Sequence, residues 1–370
     1  MQKISQTFCP AKWDELYVSF EMNYAYACCR SKTTKFTKQV DEFILKEKTN
    51  LLNGVQDPSC KYCWQAENAG GTSLRHRYLD KFDTSTYPQY QLNRVTPKLL
   101  QISLGNECNF QCTYCSPKFS SQWQHDVSKQ PYRVFTDRFF YGIDEKQPDA
   151  LNKSIEYLKT FDQIEKLDII GGEPLINKKF FTVLDSVKSH SLHFCTNLSV
   201  TQTVLERLLA RCKNYKNVNI TVSLDATDKI AEFVRHGLIF EEFNSNLNYL
   251  LANKPANVKL VLNSAVTSVT IRDLENFSNY VVPKLPNLIW NLVYCIDPRI
   301  QALETLPDQY KPEILKTLEK IKDLDNIYGV QTLIDLVTSV KFNSTLHKEM
   351  KHFFNEFATR KNIEIPICLD

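Results

Sequence analysis

The stretch Cys108, Asn109, Phe110, Gln111, Cys112, Thr113, Tyr114, Cys115 decides how this chain is read. Its three thiols lie within eight residues, separated by three residues and then by two, so one loop can turn them onto a single point. Thiolates are the ligands that iron–sulfur clusters and zinc prefer. The number three is informative: a four-iron cubane held by three protein sulfurs keeps one iron open, as a catalytic zinc site keeps a position for its substrate. Upstream, the apolar run Leu99 to Leu104 reads as a buried strand ended by Gly105. The thiols therefore sit on the loop leaving a strand's C-terminal end, where α/β sheets and barrels place their chemistry. A zinc loop or buried free thiols is the plainer alternative, since cysteine also serves as a small core hydrophobe.

Three further motifs follow at strand ends. Leu167, Asp168, Ile169, Ile170 runs into Gly171, Gly172, Glu173, Pro174. Two glycines let backbone approach a ligand closely, and the carboxylate can accept from an ammonium. The strand Val218 to Leu224 offers Ser223 and, just beyond it, Asp225, a hydroxyl and a carboxylate suited to a ribose diol. Twelve residues past Ser223 comes Arg235, whose fork matches a carboxylate; a cap and a solvated helix charge are the plainer readings of these two.

Taken together, these motifs resemble the radical SAM superfamily, whose signature is this cysteine spacing with an aromatic, here Tyr114, before the third Cys. The resemblance implies that Cys108, Cys112 and Cys115 hold a [4Fe-4S] cluster whose open iron is chelated by S-adenosylmethionine (SAM). One electron then cleaves the sulfonium to a 5′-deoxyadenosyl radical that abstracts hydrogen from a substrate. It also assigns Gly171, Gly172 and Glu173 to the amino group of SAM, Ser223 to SAM, and Arg235 to its carboxylate. The last strand would lay Leu292 or Val293 against adenine.

Ahead of this core, Leu16 to Phe20 and Tyr24 to Cys29 read as a hairpin turning at Asn23, which brings Cys9 and Cys28 together. A helix is expected from Lys38 to Leu52, ended by Asn53 and Gly54. Cys60 and Cys63 follow, completing a set of four thiols that leaves no open position and suits a structural or electron-relaying centre. Cys29 rivals Cys28, and zinc rivals iron. The segment resembles the twitch (shortened SPASM) auxiliary-cluster module of radical SAM enzymes, with Asn23 at the turn glycine and with the module before rather than after the core. This implies a second [4Fe-4S] cluster on Cys9, Cys28, Cys60 and Cys63. Residues 70–96 read as a linker in which Arg75 and Arg77 are solvated charges.

Strand signals near 100, 168, 193, 220, 261 and 290, with helices between, give an α/β fold: a partial (βα)6 barrel. The expected organisation is an auxiliary module and linker over 1–94, the core barrel over 95–299 and a helical region over 300–370. Residues 116–146 form an aromatic insertion, expected to pack on the barrel, and a helix is expected from Asp149 to Phe161. His193 and His236 read as core or surface residues.

Twelve cysteines, eight of them before residue 120, point to metal in a reducing compartment. The opening MQKISQTF lacks the features of a signal or transit peptide, and a cytoplasmic location is expected. A formal charge of +3, from 45 basic and 42 acidic residues, gives no general case for nucleic acid or membrane partners. The expected partners are a peptide, protein side chain or small molecule as substrate, and an electron donor such as flavodoxin or ferredoxin. Two other classes remain: a structural zinc module, and an iron–sulfur protein that relays electrons without catalysis.

Overall fold

Apolar runs bounded by turn residues become strands here, and each of the six expected strand signals does so. The computed structural model describes residues 4–20, 24–31, 34–35, 40–90, 97–133, 155–161 and 164–369. In chain order the strands are β1 (Glu15–Ser19), β2 (Tyr24–Tyr26), β3 (Thr34–Lys35), β4 (Leu99–Ser103), β5 (Gln111–Cys112) and β6 (Ile164–Ile170). They continue with β7 (Ser189–Thr196), β8 (Asn217–Ser223), β9 (Arg235–His236), β10 (Val258–Val266), β11 (Ile289–Tyr294) and β12 (Ile327–Tyr328). The expected signals are β4, β6, β7, β8, β10 and β11, with helices such as Lys178–Ser186, Gln202–Cys212 and Phe240–Asn253 between them. This strand-then-helix order with parallel pairing is the α/β, partial-barrel class expected.

The chain divides into two compact units: Met1–Gly105 with Asp144–Gly171 and Lys178–His193, and Asn106–Ile143 with Gly172–Asn177 and Phe194–Asp370. In the first, β4 pairs in parallel with β6, Gln101 opposite Asp168. The expected hairpin forms, β1 antiparallel to β2 with Tyr17 opposite Tyr26; its turn at Asn23 lies outside the described residues. No local pattern signals that β1 also pairs in parallel with β4, Leu16 opposite Leu100 and Val18 opposite Ile102. All four of these side chains are buried, which is why the N-terminal strand is held there. A satellite core of Phe8, Trp13, Leu51, Trp64, Tyr87 and Tyr90 lies in the same unit. The expected helix is seen over Val40–Leu52, and Gly54 beyond it has φ +78°, which glycine adopts without strain.

The linker reading of 70–96 needs correction, because Leu74–Leu79 is a helix and Thr84–Gln89 a 3-10 turn. Ser73 and His76 form a reciprocal capping box, and capping makes a six-residue helix tenable where composition suggested coil.

In the second unit β8, β10, β11 and β12 pair in parallel, and β5 pairs antiparallel with β9. The expected helical C-terminal region is seen as Lys311–Ile321, Val330–Ser339 and Ser344–Lys361. The aromatic insertion contains a helix, Ser121–Lys129, capped by Ser120. Its Trp123 packs with Tyr132, Phe233, Phe353 and Phe357 in one buried cluster. Residues 134–154, with Phe135, Phe139, Phe140, Tyr141 and most of the expected 149–161 helix, lie outside the described residues; 155–158 are helical. Among the described residues no helix is long and apolar enough to cross a membrane.

Candidate functional site

The cysteine loop is fastened on three sides. Cys112 lies on β5 directly opposite Arg235 on β9. Thr113, fully buried, donates its N–H to the Val234 carbonyl at 2.8 Å and exchanges bonds with Gln301, whose amide reaches the Thr113 carbonyl at 2.6 Å. Trp123 Nε1 donates to the Cys112 carbonyl at 2.7 Å, and Ser120 Oγ to the Phe110 carbonyl at 2.7 Å. Buried carbonyls that lacked these donors would be costly, so the loop has little freedom to relax. Thr113, Ser120, Trp123 and Gln301 carried no signal in the sequence, because each acts through a partner that only the fold supplies.

The loop leaves Cys108, Cys112 and Cys115 half-buried. Burial, with the Cys112 sulfur adding to it, pushes the Cys108 and Cys115 thiols up to about 12. The three sulfurs are thus close enough to oppose one another's ionisation, and a cation placed among them would relieve that opposition. Arg235 Nη1 stands 3.7 Å from Cys112 Sγ.

Arg235 is also the hub of a buried polar group. Its Nε donates to Asp225 Oδ2 at 2.9 Å, the Tyr114 hydroxyl donates to the same oxygen, and the Ala265 N–H donates to Asp225 Oδ1 at 2.7 Å. Burial disfavours the guanidinium's charge, but Asp225 outweighs it and holds the group protonated. Among the described residues Nη2 takes no partner, so one edge of the fork remains to meet a carboxylate. Tyr114, Asp225 and Arg235 are therefore brought together with Cys112. Ser223, half-buried, ends β8 two residues before Asp225.

In the glycine loop, Glu173 is 1% exposed and its carboxylate is fully engaged. Oε1 accepts from the Leu175 N–H at 3.0 Å and from Thr196 Oγ1 at 2.8 Å, and Oε2 accepts from the Asn197 N–H at 2.5 Å. Burial pushes this carboxyl up to about 7 despite those donors. Its work in the structure is to tie the loop to the end of β7, and Gly171 and Gly172 before it are half-buried. A Cβ on Gly172 would stand 2.3 Å from the Glu107 carbonyl oxygen. Gly171, in the first unit, has φ +144° and approaches Gly105. At the end of β11, Leu292 is buried while Val293 is 43% exposed, so Val293 is the one of the pair available for contact.

The second thiol set lies in the first unit. Cys9, Cys28, Cys60 and Cys63 line one cavity of about 20 Å³, together with Lys12, Arg30, Ser31, Leu74, Arg75 and Tyr78. Cys29 is exposed and is not on it. Burial pushes the Cys9 thiol up to about 12. Arg75 departs from its expected solvated role: it is buried, chelates Glu67 through Nε at 3.0 Å and Nη2 at 2.5 Å, and donates to the carbonyls of Gln6 and Phe8 at 3.1 Å. Arg77 is exposed as expected.

Among the described residues no three Cys, His, Asp or Glu side chains are drawn in tightly enough to hold a single metal ion as they stand. The fit rests on the donor sets. Three thiols on one loop, one of them beside an arginine, and four thiols around one cavity have the softness and number that thiophilic iron or zinc centres take.

His193, expected as core or surface, has a defined partner. Its Nδ1 lies 2.6 Å from Asp168 Oδ1, and Gln101 Nε2 donates to Asp168 Oδ2 at 2.6 Å. Burial raises the Asp168 carboxyl, but these two bonds outweigh it and hold the group below the ordinary carboxylate range. The pair spans β6 and β7, and alternation along each strand was the missed signal that they share a face.

The sequence model of the Radical SAM superfamily matches residues 102–279. A GTP 3',8-cyclase of Helicobacter pylori is 25% identical over 178 residues, 47% of this chain and 48% of that protein. A GTP 3',8-cyclase of Campylobacter lari is 29% identical over 143 residues, 36% and 38% of the two chains, and a probable GTP 3',8-cyclase of Methanocaldococcus jannaschii is 24% identical over 184 residues, 49% and 54%. The chain thus spans about half the length or less of these relatives. Among solved structures, Streptococcus suis SuiB bound to S-adenosylmethionine aligns with TM-score 0.39 and 11% identity, over 88% of this chain and 72% of that one.

Proposed function

We propose, from the chain's membership of the radical SAM superfamily, that it is an enzyme which cleaves S-adenosylmethionine reductively and takes hydrogen from a bound substrate. The observation that carries this reading is the buried Arg235–Asp225–Tyr114 group set directly behind the Cys112 sulfur. A structural zinc loop would gain nothing from a buried arginine with one edge unmatched.

Cys108, Cys112 and Cys115 are the ligands of a [4Fe-4S] cluster in this reading, and the loop bonds from Gln301 and Trp123 fix where the sulfurs stand. Bound there, the cluster and SAM supply the one-electron cleavage of the sulfonium. The chain's own part is to bind and orient. Arg235 meets the SAM carboxylate with the free edge of its fork, and Asp225 keeps that fork charged and aimed. The backbone at Gly171 and Gly172 receives the amino group, with Glu173 holding the loop in shape. Ser223 faces the ribose and Val293 the adenine.

Cys9, Cys28, Cys60 and Cys63 are the ligands of a second [4Fe-4S] centre that accepts or relays an electron, with flavodoxin or ferredoxin as the class of outside donor. The substrate class we favour is a peptide or protein side chain. These relatives match less than half of this chain, so their printed substrate serves as a control.

The test is anaerobic reconstitution, iron and sulfide counting, and then a 5′-deoxyadenosine assay with dithionite and SAM. Two clusters' worth of iron and SAM-dependent product are expected. Cys112→Ala should abolish the product, and Cys60→Ala should remove only the second centre's share of iron. A colourless zinc protein indifferent to SAM would overturn the proposal; iron without 5′-deoxyadenosine would leave an electron-transfer protein. Consumption of GTP in the same assay would replace the peptide reading.

A further inference from the structure

Lys12 is 2% exposed, and it lies on the wall of the four-thiol cavity. It is the second residue of the short helix Ala11–Asp14 that follows Cys9, and its Nζ donates to Ser59 Oγ at 3.1 Å and to Ser31 Oγ, residues that flank Cys60 and follow Cys28. Its counter-ion is Glu47 on the helix Val40–Leu52, 2.9 Å from Nζ, and Glu47 is not on the cavity. Both Glu47 oxygens are buried; Oε2 meets the ammonium, and among the described residues Oε1 takes no hydrogen bond.

A buried ion pair with one carboxylate oxygen left unmet is a poor way to stabilise a small core, since apolar side chains of the same volume would do as well or better. Its location gives it another use. Four thiolates carry four negative charges, and a dipositive zinc ion or a [4Fe-4S] core in its 2+ state leaves the centre with a net charge of about −2. Low-dielectric surroundings make a cation at the wall effective there. The two other cations on the cavity are less so. Arg75 is chelated by Glu67, and Arg30 is exposed, where solvent screens it.

Resting on the reading of these four cysteines as iron–sulfur ligands, we propose that Lys12 sets the charge, and so the reduction potential, of the second centre. Adding one electron makes the centre more negative, with no bond made or broken. An ammonium on the wall stabilises that reduced state and raises the potential, and Glu47 moderates it from behind. Lys12 is a positioning residue in this scheme: it touches no substrate and acts through the field at the sulfurs.

The experiment uses the chain carrying Cys112→Ala, so that a single cluster is read, with potentiometric titration followed by electron paramagnetic resonance. Lys12→Met should lower the one-electron reduction constant about tenfold, or ~59 mV. Glu47→Gln should raise it, and Lys12→Arg should keep it near the parent value. Opposite signs at the two ends of one ion pair are what a field predicts and a purely structural loss does not. Should Lys12→Met fail to fold, the near-isosteric Glu47→Gln still decides the matter. Unchanged potentials, or shifts of the same sign, with the cluster's iron retained would overturn this inference alone. Absence of iron in the Cys112→Ala chain, or zinc in its place, would overturn the four-cysteine reading along with it.

Discussion

Arg235 donates from Nε to Asp225 Oδ2 at 2.9 Å, across ten residues of sequence. Asp225 is thereby committed to the guanidinium and to the Tyr114 hydroxyl, so the fold uses it to aim the arginine. Asp225→Asn leaves the buried guanidinium without its counter-charge, a change worth about 3–5 kcal/mol. Arg235→Lys keeps the charge but not the fork. Calorimetric titration of reconstituted protein should show SAM binding weakened about tenfold or more by Arg235→Lys, as expected for one charged hydrogen bond lost. Thermal unfolding should rank Asp225→Asn as the less stable variant. Wild-type SAM affinity in Arg235→Lys would remove Arg235 from the binding site.

Glu173 makes stability depend on pH in a stated direction. An ordinary carboxyl of this type titrates near 4.5, and in the fold this one is pushed up to about 7. Its contribution is therefore fully present below 4.5 and is lost as pH rises through about 7, because the unfolded chain ionises first. The loss amounts to about 3 kcal/mol. Urea unfolding of the metal-free chain should give a lower midpoint at about pH 8 than at about pH 5, and Glu173→Gln should flatten the difference. Equal slopes in the two proteins would show that Glu173 titrates normally.

Gly172 leaves no room for a side chain, since a Cβ placed there would come within 2.3 Å of the Glu107 carbonyl oxygen. That contact is with backbone, so Gly172→Ala must move the loop, at about 1–3 kcal/mol. Thermal unfolding should register the loss, and SAM titration should show weaker binding, while iron at the four-cysteine site stays. Unaltered SAM binding would mean that the loop's backbone does not meet the ligand.

What could be read in the sequence was local. The spacing of Cys108, Cys112 and Cys115 and the apolar runs of β4, β6, β8 and β10 lie within a few residues, where strand period and loop length suffice. The rest depends on pairs the chain brings together from afar. Thr113 meets Gln301 across 188 residues, and Arg75 meets the Phe8 carbonyl across 67, so neither bond has a local pattern to betray it. Arg75 departs from its expected role for the same reason: an arginine beside glycines and serines is usually solvated, and only Glu67 and the Gln6 and Phe8 carbonyls make its burial tolerable. The parallel pairing of β1 with β4 is likewise a matter of topology, since the hairpin alone would satisfy β1 on one edge.

Trp123 joins the cysteine loop to the C-terminal helix, and two substitutions separate its roles. Its indole packs with Phe353 and Phe357, ring centroids 6.3 and 5.7 Å away, while its N–H holds the Cys112 carbonyl. Trp123→Phe keeps most of the packing and leaves that carbonyl with the Cys115 N–H alone, at about 0.5–1.5 kcal/mol. Phe353→Ala opens a cavity in a fully buried cluster, at about 3–5 kcal/mol, without touching the loop's hydrogen bonds. Chelator challenge of the reconstituted protein, set beside thermal unfolding, tells them apart. Phe353→Ala should have the lower unfolding temperature, whereas Trp123→Phe should lose iron from the three-cysteine site faster at a temperature where both are folded. If iron release merely followed global stability, with Phe353→Ala the faster, the loop would owe its geometry to the core as a whole and not to the indole N–H.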